Sequence, residues 1–150
     1  MKIEHFKRHQ FDSLLAVGRM MHEESSYSHL AFSPEKLKAL GSATIAEPQR
    51  YLGLAAMDDS KICGLFIGII TPYFFSEEKI ASDLVLFVVQ DSRGGMAAMK
   101  LVRAYESWAV SNGAKQIMLG VSTGVNEKRT LALYDRLGYK PAGGIVKKNV

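Results

Sequence analysis

The sequence predicts an α/β domain in which a mixed sheet is flanked by helices, and three observations carry that reading. The apolar run from Asp83 to Gln90 breaks at Arg93, Gly94 and Gly95 and passes straight into a helix-patterned segment, Met96 to Asn112. A strand, a tight turn and a helix N-terminus therefore follow one another. Two further apolar runs, Tyr51 to Met57 and Lys61 to Ile70, flank Asp58, Asp59 and Ser60, which read as a hairpin turn. Stretches with helical apolar spacing occupy the intervals before and after these runs. The resulting order is βααβββαβαβ, with about six strands. The length suits a single domain over residues 1–150.

Lys2 to Phe6 alternate charged and apolar side chains and form a short edge strand. Asp12 can cap a helix that runs to about His22, with Leu14, Val17 and Met21 on one stripe. A second, short helix starts after Ser33, because Pro34 suits the first helical turn and Glu35 suits its dipole. Tyr73 to Lys79 reads as a loop and Ser82 to Gln90 as the central strand. In the following helix Ala98, Leu101, Val102, Tyr105, Trp108 and Ala109 share a face, which makes Trp108 a core residue. This helix stops at Asn112 and Gly113, where glycine adopts the left-handed cap. Gln116 to Val121 is a strand, Glu127 to Leu137 a helix ending at Gly138, and Ala142 to Lys147 a final strand.

The turn between the central strand and its helix gathers unpaired backbone N–H groups and the positive end of a helix dipole, so it suits an anion. A P-loop needs Lys followed by Ser or Thr after its last glycine, whereas Met96, Ala97 and Ala98 follow here. A dinucleotide-binding turn needs three glycines at G-x-G-x-x-G spacing early in a βαβ unit, and this turn has two adjacent glycines past the middle of the chain.

The segment Arg93 to Ala98 resembles instead the acyl-CoA pyrophosphate loop of the GCN5-related N-acetyltransferase (GNAT) superfamily, written Q/R-x-x-G-x-G/A. Arg93 takes the first position, Met96 that of the middle glycine and Ala98 the last, so two of the three defining positions match. Downstream, Asn126 and the ending Leu133-Tyr134, Gly138-Tyr139 resemble the second signature of the family, an Asn followed by Leu-Tyr-x-x-x-Gly-Phe/Tyr. The resemblance covers nearly the whole chain, with its specific motifs within residues 83–139, and its short form looks like the small GNAT proteins of bacteriophages and bacteria.

The resemblance implies a GNAT fold whose fourth and fifth strands, Leu84 to Gln90 and Gln116 to Val121, splay apart to admit the pantetheine arm of acetyl-CoA. Backbone near Phe87, Val88 and Gln90 would contact the pantetheine amides, and the N–H groups of Arg93, Gly94, Gly95, Met96, Ala97 and Ala98 would hold the pyrophosphate. Small residues let the backbone approach phosphate oxygens closely, and Met96 departs from that rule. Asn126 would either bond the pantetheine or cap its helix. Tyr134 stands where the family points a phenol at the thioester sulfur. A phenol of pKa ~10 can protonate a thiolate of pKa ~8.5 at a cost of about 2 kcal/mol, or merely hydrogen-bond the sulfur. Asp83 stands where several members keep the base that an amine acceptor of pKa ~10.4 requires. It also reads as an ordinary solvated residue opening a strand.

At the end of the first helix, where the family places its acceptor loop, Glu23 and Glu24 could attract a cationic amine or simply form a solvated helix end. Tyr73, with Phe74 and Phe75, could line an acceptor site or a homodimer contact. His22 and Glu23 start a metalloprotease-like H-E-x-x-H, but Ser26 replaces the second histidine, and Cys63, the only cysteine, reads as a small buried hydrophobe. No metal is expected. The net charge of +4 favours an anionic ligand, yet no helix-turn-helix or aromatic-interleaved basic stripe marks nucleic acid as a partner. There is no secretory leader, and no apolar stretch approaches the ~20 residues of a membrane helix, so a cytoplasmic protein is expected.

The expected activity is direct acetyl transfer from acetyl-CoA to an amine, without a covalent enzyme intermediate. The alternative is a GNAT-fold module that binds CoA or a protein and transfers nothing.

Overall fold

The computed structural model describes residues Met1–Val150. The strands are β1 (Lys2–His5), β2 (Tyr51–Asp58), β3 (Lys61–Pro72), β4 (Lys79–Val88) and β5 (Ala114–Ile117). The helices are α1 (Phe11–Glu24), α2 (Pro34–Ala46), α3 (Ala97–Ser111) and α4 (Glu127–Arg136), with single 3-10 turns at Arg8–Gln10 and Gln90–Ser92. No helix is long and apolar enough to cross a membrane.

The strands lie in sequence order in one five-stranded sheet. β1 to β4 form an antiparallel meander, and β5 joins β4 in parallel after the α3 crossover. Both faces of the middle of the sheet are covered, which is why Leu52 to Met57 are buried without alternation. On one face the Phe66 ring lies 4.5 Å, centroid to centroid, from Tyr105 of α3. On the other, Leu65 and Ile67 face α1 and α2 across a small apolar gap of about 60 Å³.

Local chemistry sets the helix ends. Ser33 accepts a hydrogen bond from the Lys36 amide at 3.3 Å ahead of Pro34, so α2 starts where the sequence suggested, although at 13 residues it is not short. Gly113 closes α3 at φ +80°. Asp12 is not the cap of α1. Gln10 holds that position and Asp12 lies in the first turn, where its charge suits the dipole. Trp108 packs against the core while its indole N–H donates to the Pro48 carbonyl at 2.8 Å.

The strands depart from expectation in three respects. The sheet has five strands, because Ala142 to Lys147 form none. Pro141 lacks an amide donor, Gly143 sits at φ +138°, and Ile145 and Val146 are 78% and 98% exposed. The segment buries no apolar side chain, and only Lys147 contacts the rest of the chain, which offsets little of the entropy of ordering it as a strand. β4 begins at Lys79 rather than Ser82, because the hairpin from β3 closes earlier, with the Tyr73 amide bonded to the Glu78 carbonyl. β5 ends at Ile117 rather than Val121, for a reason that lies in the site.

Candidate active site

β4 and β5 pair over only three positions, Lys79 with Ala114, Ile80 with Gln116 and Ala81 with Ile117. The last backbone bond between these segments is from the Met118 amide to the Ala81 carbonyl, at 2.9 Å. Beyond it the chains part, and a side chain replaces the ladder: Asp83 Oδ1 accepts from the Gly120 amide at 3.0 Å. The carboxylate thus acts as a spacer that turns the end of β5 away from β4.

On its other side β4 carries a bulge, since Gly68 opposes Asp83 and Ile67 opposes Val85, leaving Leu84 unpaired. Gly68 suits this position, because a Cβ would crowd the Tyr105 ring at 3.0 Å and the Phe66 ring at 3.2 Å. The hydroxyl of Tyr105 donates to the Met118 carbonyl at 3.0 Å and that of Tyr134 to the Gly120 carbonyl at 3.4 Å. Gly120 is therefore held at its N–H by Asp83 and at its C=O by Tyr134. These two residues, far apart in sequence, meet on one residue at the fork, one on each of the peptide units that flank the Gly120 Cα.

Burial sets the acid–base character of this pair. It raises the Asp83 carboxyl to about 6, against the partly compensating hydrogen bond from Gly120. Tyr134 is only 4% exposed. Burial first, then the Asp83 charge and the Tyr139 phenol, push its hydroxyl above the ordinary phenol value. At neutral pH the arrangement is an ionised carboxylate beside a phenol that keeps its proton.

A cleft of about 380 Å³ opens between the C-terminal end of β4, the glycine turn and α4. The turn descends from the 3-10 segment Gln90–Ser92 through an extended Arg93 and Gly94 at φ +87° to Met96, which precedes α3 without a side-chain cap. No acidic side chain occupies the first turn of α3. The N–H groups there are consequently available to a ligand.

Of the residues singled out in the sequence, Phe87, Val88, Arg93, Gly94, Gly95, Met96, Ala98 and Asn126 line this cleft. Gln90 and Ala97 do not: Gln90 is exposed at the start of the 3-10 segment, and Ala97 is 1% exposed within the core. Asn126, in the left-handed region at φ 48°, precedes α4 without a side-chain capping bond.

Arg93 and Glu24 serve one another. Arg93 Nε donates to the Val88 carbonyl at 2.8 Å, while both terminal nitrogens donate to the two Glu24 carboxylate oxygens at 2.6 and 2.7 Å. The guanidinium holds the Glu24 carboxyl below the usual range. Glu24 is thus committed to tying the end of α1 to the turn, while Glu23 is exposed beside it. Tyr73 lies elsewhere. It sits with Phe74 and Phe75, 89% and 76% exposed, in the hairpin at the opposite end of β4 from the glycine turn. The three rings pack against one another, with centroids 4.9 to 5.0 Å apart.

Sequence reasoning missed the wall contributed by α4. Arg129, Leu133 and Arg136 line the cleft beside Asn126, and their spacing of three, four and three residues is that of a single helix face. That periodicity was the available signal.

The sequence profile of the acetyltransferase (GNAT) family matches residues 17–139. The chain belongs to the GNAT family. Acyl transfer is the chemistry of GNAT acetyltransferases, with acetyl-CoA as donor. No curated protein sequence matches the chain.

Solved structures share the GNAT fold at low identity. An aminoglycoside 6'-N-acetyltransferase, AAC(6')-IG from Acinetobacter haemolyticus, is 15% identical at a TM-score of 0.75, covering 100% of this chain and 98% of its own. AAC(6')-Iy, in complex with the bisubstrate analogue CoA-S-monomethyl-acetylneamine, is 12% identical at a TM-score of 0.79, covering 99% and 97%. A protein described as a transcriptional regulator, from Bacillus halodurans C-125, is 16% identical at 0.77, covering 99% of each chain. These likenesses establish the fold.

Proposed function

We propose that residues 1–150 form a single acyl-CoA-binding domain that transfers acetyl from acetyl-CoA directly to a primary amine. The observation that carries this reading is the convergence of Asp83 and Tyr134 on Gly120, at the fork where β4 loses its partner strand.

The residues around the cleft suit CoA in kind. The turn offers unpaired amides and small residues for a diphosphate, and the β4 edge beyond Ala81 offers unpaired backbone for amide groups of an extended arm. Bound acetyl-CoA supplies an activated thioester whose departing thiolate needs stabilisation. Tyr134, buried and holding its proton, supplies a hydrogen bond at that sulfur by turning its one O–H away from the long 3.4 Å contact with the Gly120 carbonyl. Its raised pKa makes full proton transfer costlier than for an ordinary phenol, so donation without transfer is its role. Asp83 takes the proton that the attacking amine must lose. Its value of about 6 makes it a base ionised at neutral pH yet closer to an amine than an ordinary carboxylate is, by about 3 kcal/mol.

A steady-state assay of thiol release from acetyl-CoA against primary amines, including aminoglycosides, polyamines and lysine peptides, tests the proposal. Amine-dependent release with an equimolar acetylated product is the expected result. CoA binding by calorimetry without turnover on any amine would replace it with the non-catalytic module.

A further inference from the structure

Two arginines stand at the glycine turn, and the structure divides their labour. Arg93, the arginine of the turn itself, spends its guanidinium on Glu24 and its Nε on the Val88 carbonyl. Its charge is matched by a carboxylate and its fork is filled. Arg129 reaches the same turn from α4 across the cleft. Its Nη2 stands 3.2 Å, and its Cζ 3.9 Å, from the point a Cβ on Gly94 would occupy. The guanidinium therefore lies against the bare face of Gly94, in the turn that leads into α3. Arg129 is exposed and takes part in none of the protein's ion pairs.

A positive guanidinium held at a backbone turn without a protein counter-ion matches a planar, doubly hydrogen-bonding contact to phosphate oxygens. We propose that Arg129 supplies, from across the cleft, the cationic contact to the CoA diphosphate that Arg93 is committed elsewhere and does not make. This rests on the acetyl-CoA reading of the cleft. It also explains how a turn with Met96 at a glycine position holds a diphosphate: the anion is clamped between the turn amides and α4. Arg93 is then a positioning residue, which ties α1 to the turn without touching the ligand.

Calorimetric titration of the full chain tests the assignment, using CoA and dephospho-CoA, which keeps the diphosphate and lacks the 3'-phosphate. Arg129→Ala is expected to weaken both ligands by about tenfold to a hundredfold, the range of a hydrogen bond between charged groups. Its affinity should also fall less steeply with salt. Arg129→Lys should retain part of the affinity, since it keeps the charge and loses the fork. Lys128→Ala removes the same charge from the neighbouring exposed position, which lines no wall, and should leave the affinity within about twofold, as expected for a solvent-screened charge.

Arg129→Ala binding like the parent protein, while the parent binds CoA, overturns the assignment and leaves the acetyl-CoA reading standing. A loss confined to CoA shows that Arg129 reads the 3'-phosphate, and overturns it as well. A parent protein that binds neither ligand defeats the underlying reading. Because Arg129 is exposed and makes no ion pair within the protein, circular dichroism should show each variant folded.

Discussion

Asp83 is the spacer at the fork and the proposed base, and the two roles leave different signatures in pH. As the spacer at the fork it is buried, with its pKa raised to about 6. A raised carboxyl favours the folded state while protonated, so that contribution is complete below the ordinary carboxyl range and is lost as pH rises through about 6. Asp83→Asn keeps an oxygen for the Gly120 amide and removes the titration. Urea denaturation should therefore show the variant gaining stability relative to the parent between pH 4 and pH 7.5, by on the order of 2 kcal/mol. As the proposed base, the same carboxylate must be ionised. The parent's kcat/KM should then rise through an acid limb near pH 6, and Asp83→Asn should lose that limb together with most of its turnover, by about a hundredfold. A variant that keeps both the limb and the rate would leave Asp83 with its spacer role alone. Tyr134→Phe separates the partner's roles. The ring keeps its packing and only a long hydrogen bond of 3.4 Å to Gly120 is lost, so the melting point should barely move, whereas kcat should fall about tenfold or more at unchanged CoA affinity.

At the scale of elements, glycines show where packing tolerates change. Gly18 lies within α1 on the side facing α2, and a Cβ there would meet only Leu37 Cδ1 at 3.5 Å, an ordinary contact. Gly18→Ala should stabilise the protein by about 0.5–1 kcal/mol, the helix-propensity difference, read as a raised denaturation midpoint. Gly53 in β2 is the opposite case. The ring of Phe6 lies directly on it, so any Cβ would overlap that ring. Gly53→Ala should cost about 1–3 kcal/mol by overpacking, and the same denaturation experiment should show the two alanines moving in opposite directions. The link between α1 and the glycine turn also belongs to this scale. Arg93 and Glu24 join elements that neither backbone pairing nor the apolar core connects at that point, and Ser26 continues the connection through its amide to the Thr123 carbonyl at 2.7 Å. The end of α1, the turn before α3 and the loop after β5 are therefore held as one rim around the fork. Neutralising Glu24 would disturb that rim rather than an acceptor charge.

Across the whole molecule, the C-terminal stretch after Lys140 adds little to the fold. It forms no strand, and its polar tie is Lys147, which donates to Ser26 Oγ at 2.6 Å and sits over the Tyr27 ring. Such an exposed contact is worth about 0–1 kcal/mol, so removal of residues 141–150 should shift the melting temperature by no more than about 3 °C in a calorimetric scan. The failure of that stretch to form a strand illustrates what local pattern can and cannot specify. The strand, turn and helix from Ser82 to Ser111, the Ser33 cap and the Gly113 stop were legible in sequence, because each depends on residues within a few positions of one another. The turn that lines the cleft was legible for the same reason. Tertiary structure alone decided that Arg93 faces Glu24, 69 positions away, and that Asp83 meets Gly120, 37 positions on. It also placed Arg129 over Gly94 and left Tyr73 at the far end of β4. A side chain's residue type states which bonds it can make, but its partner is chosen by whichever distant backbone the packed sheet brings within about 3 Å of it.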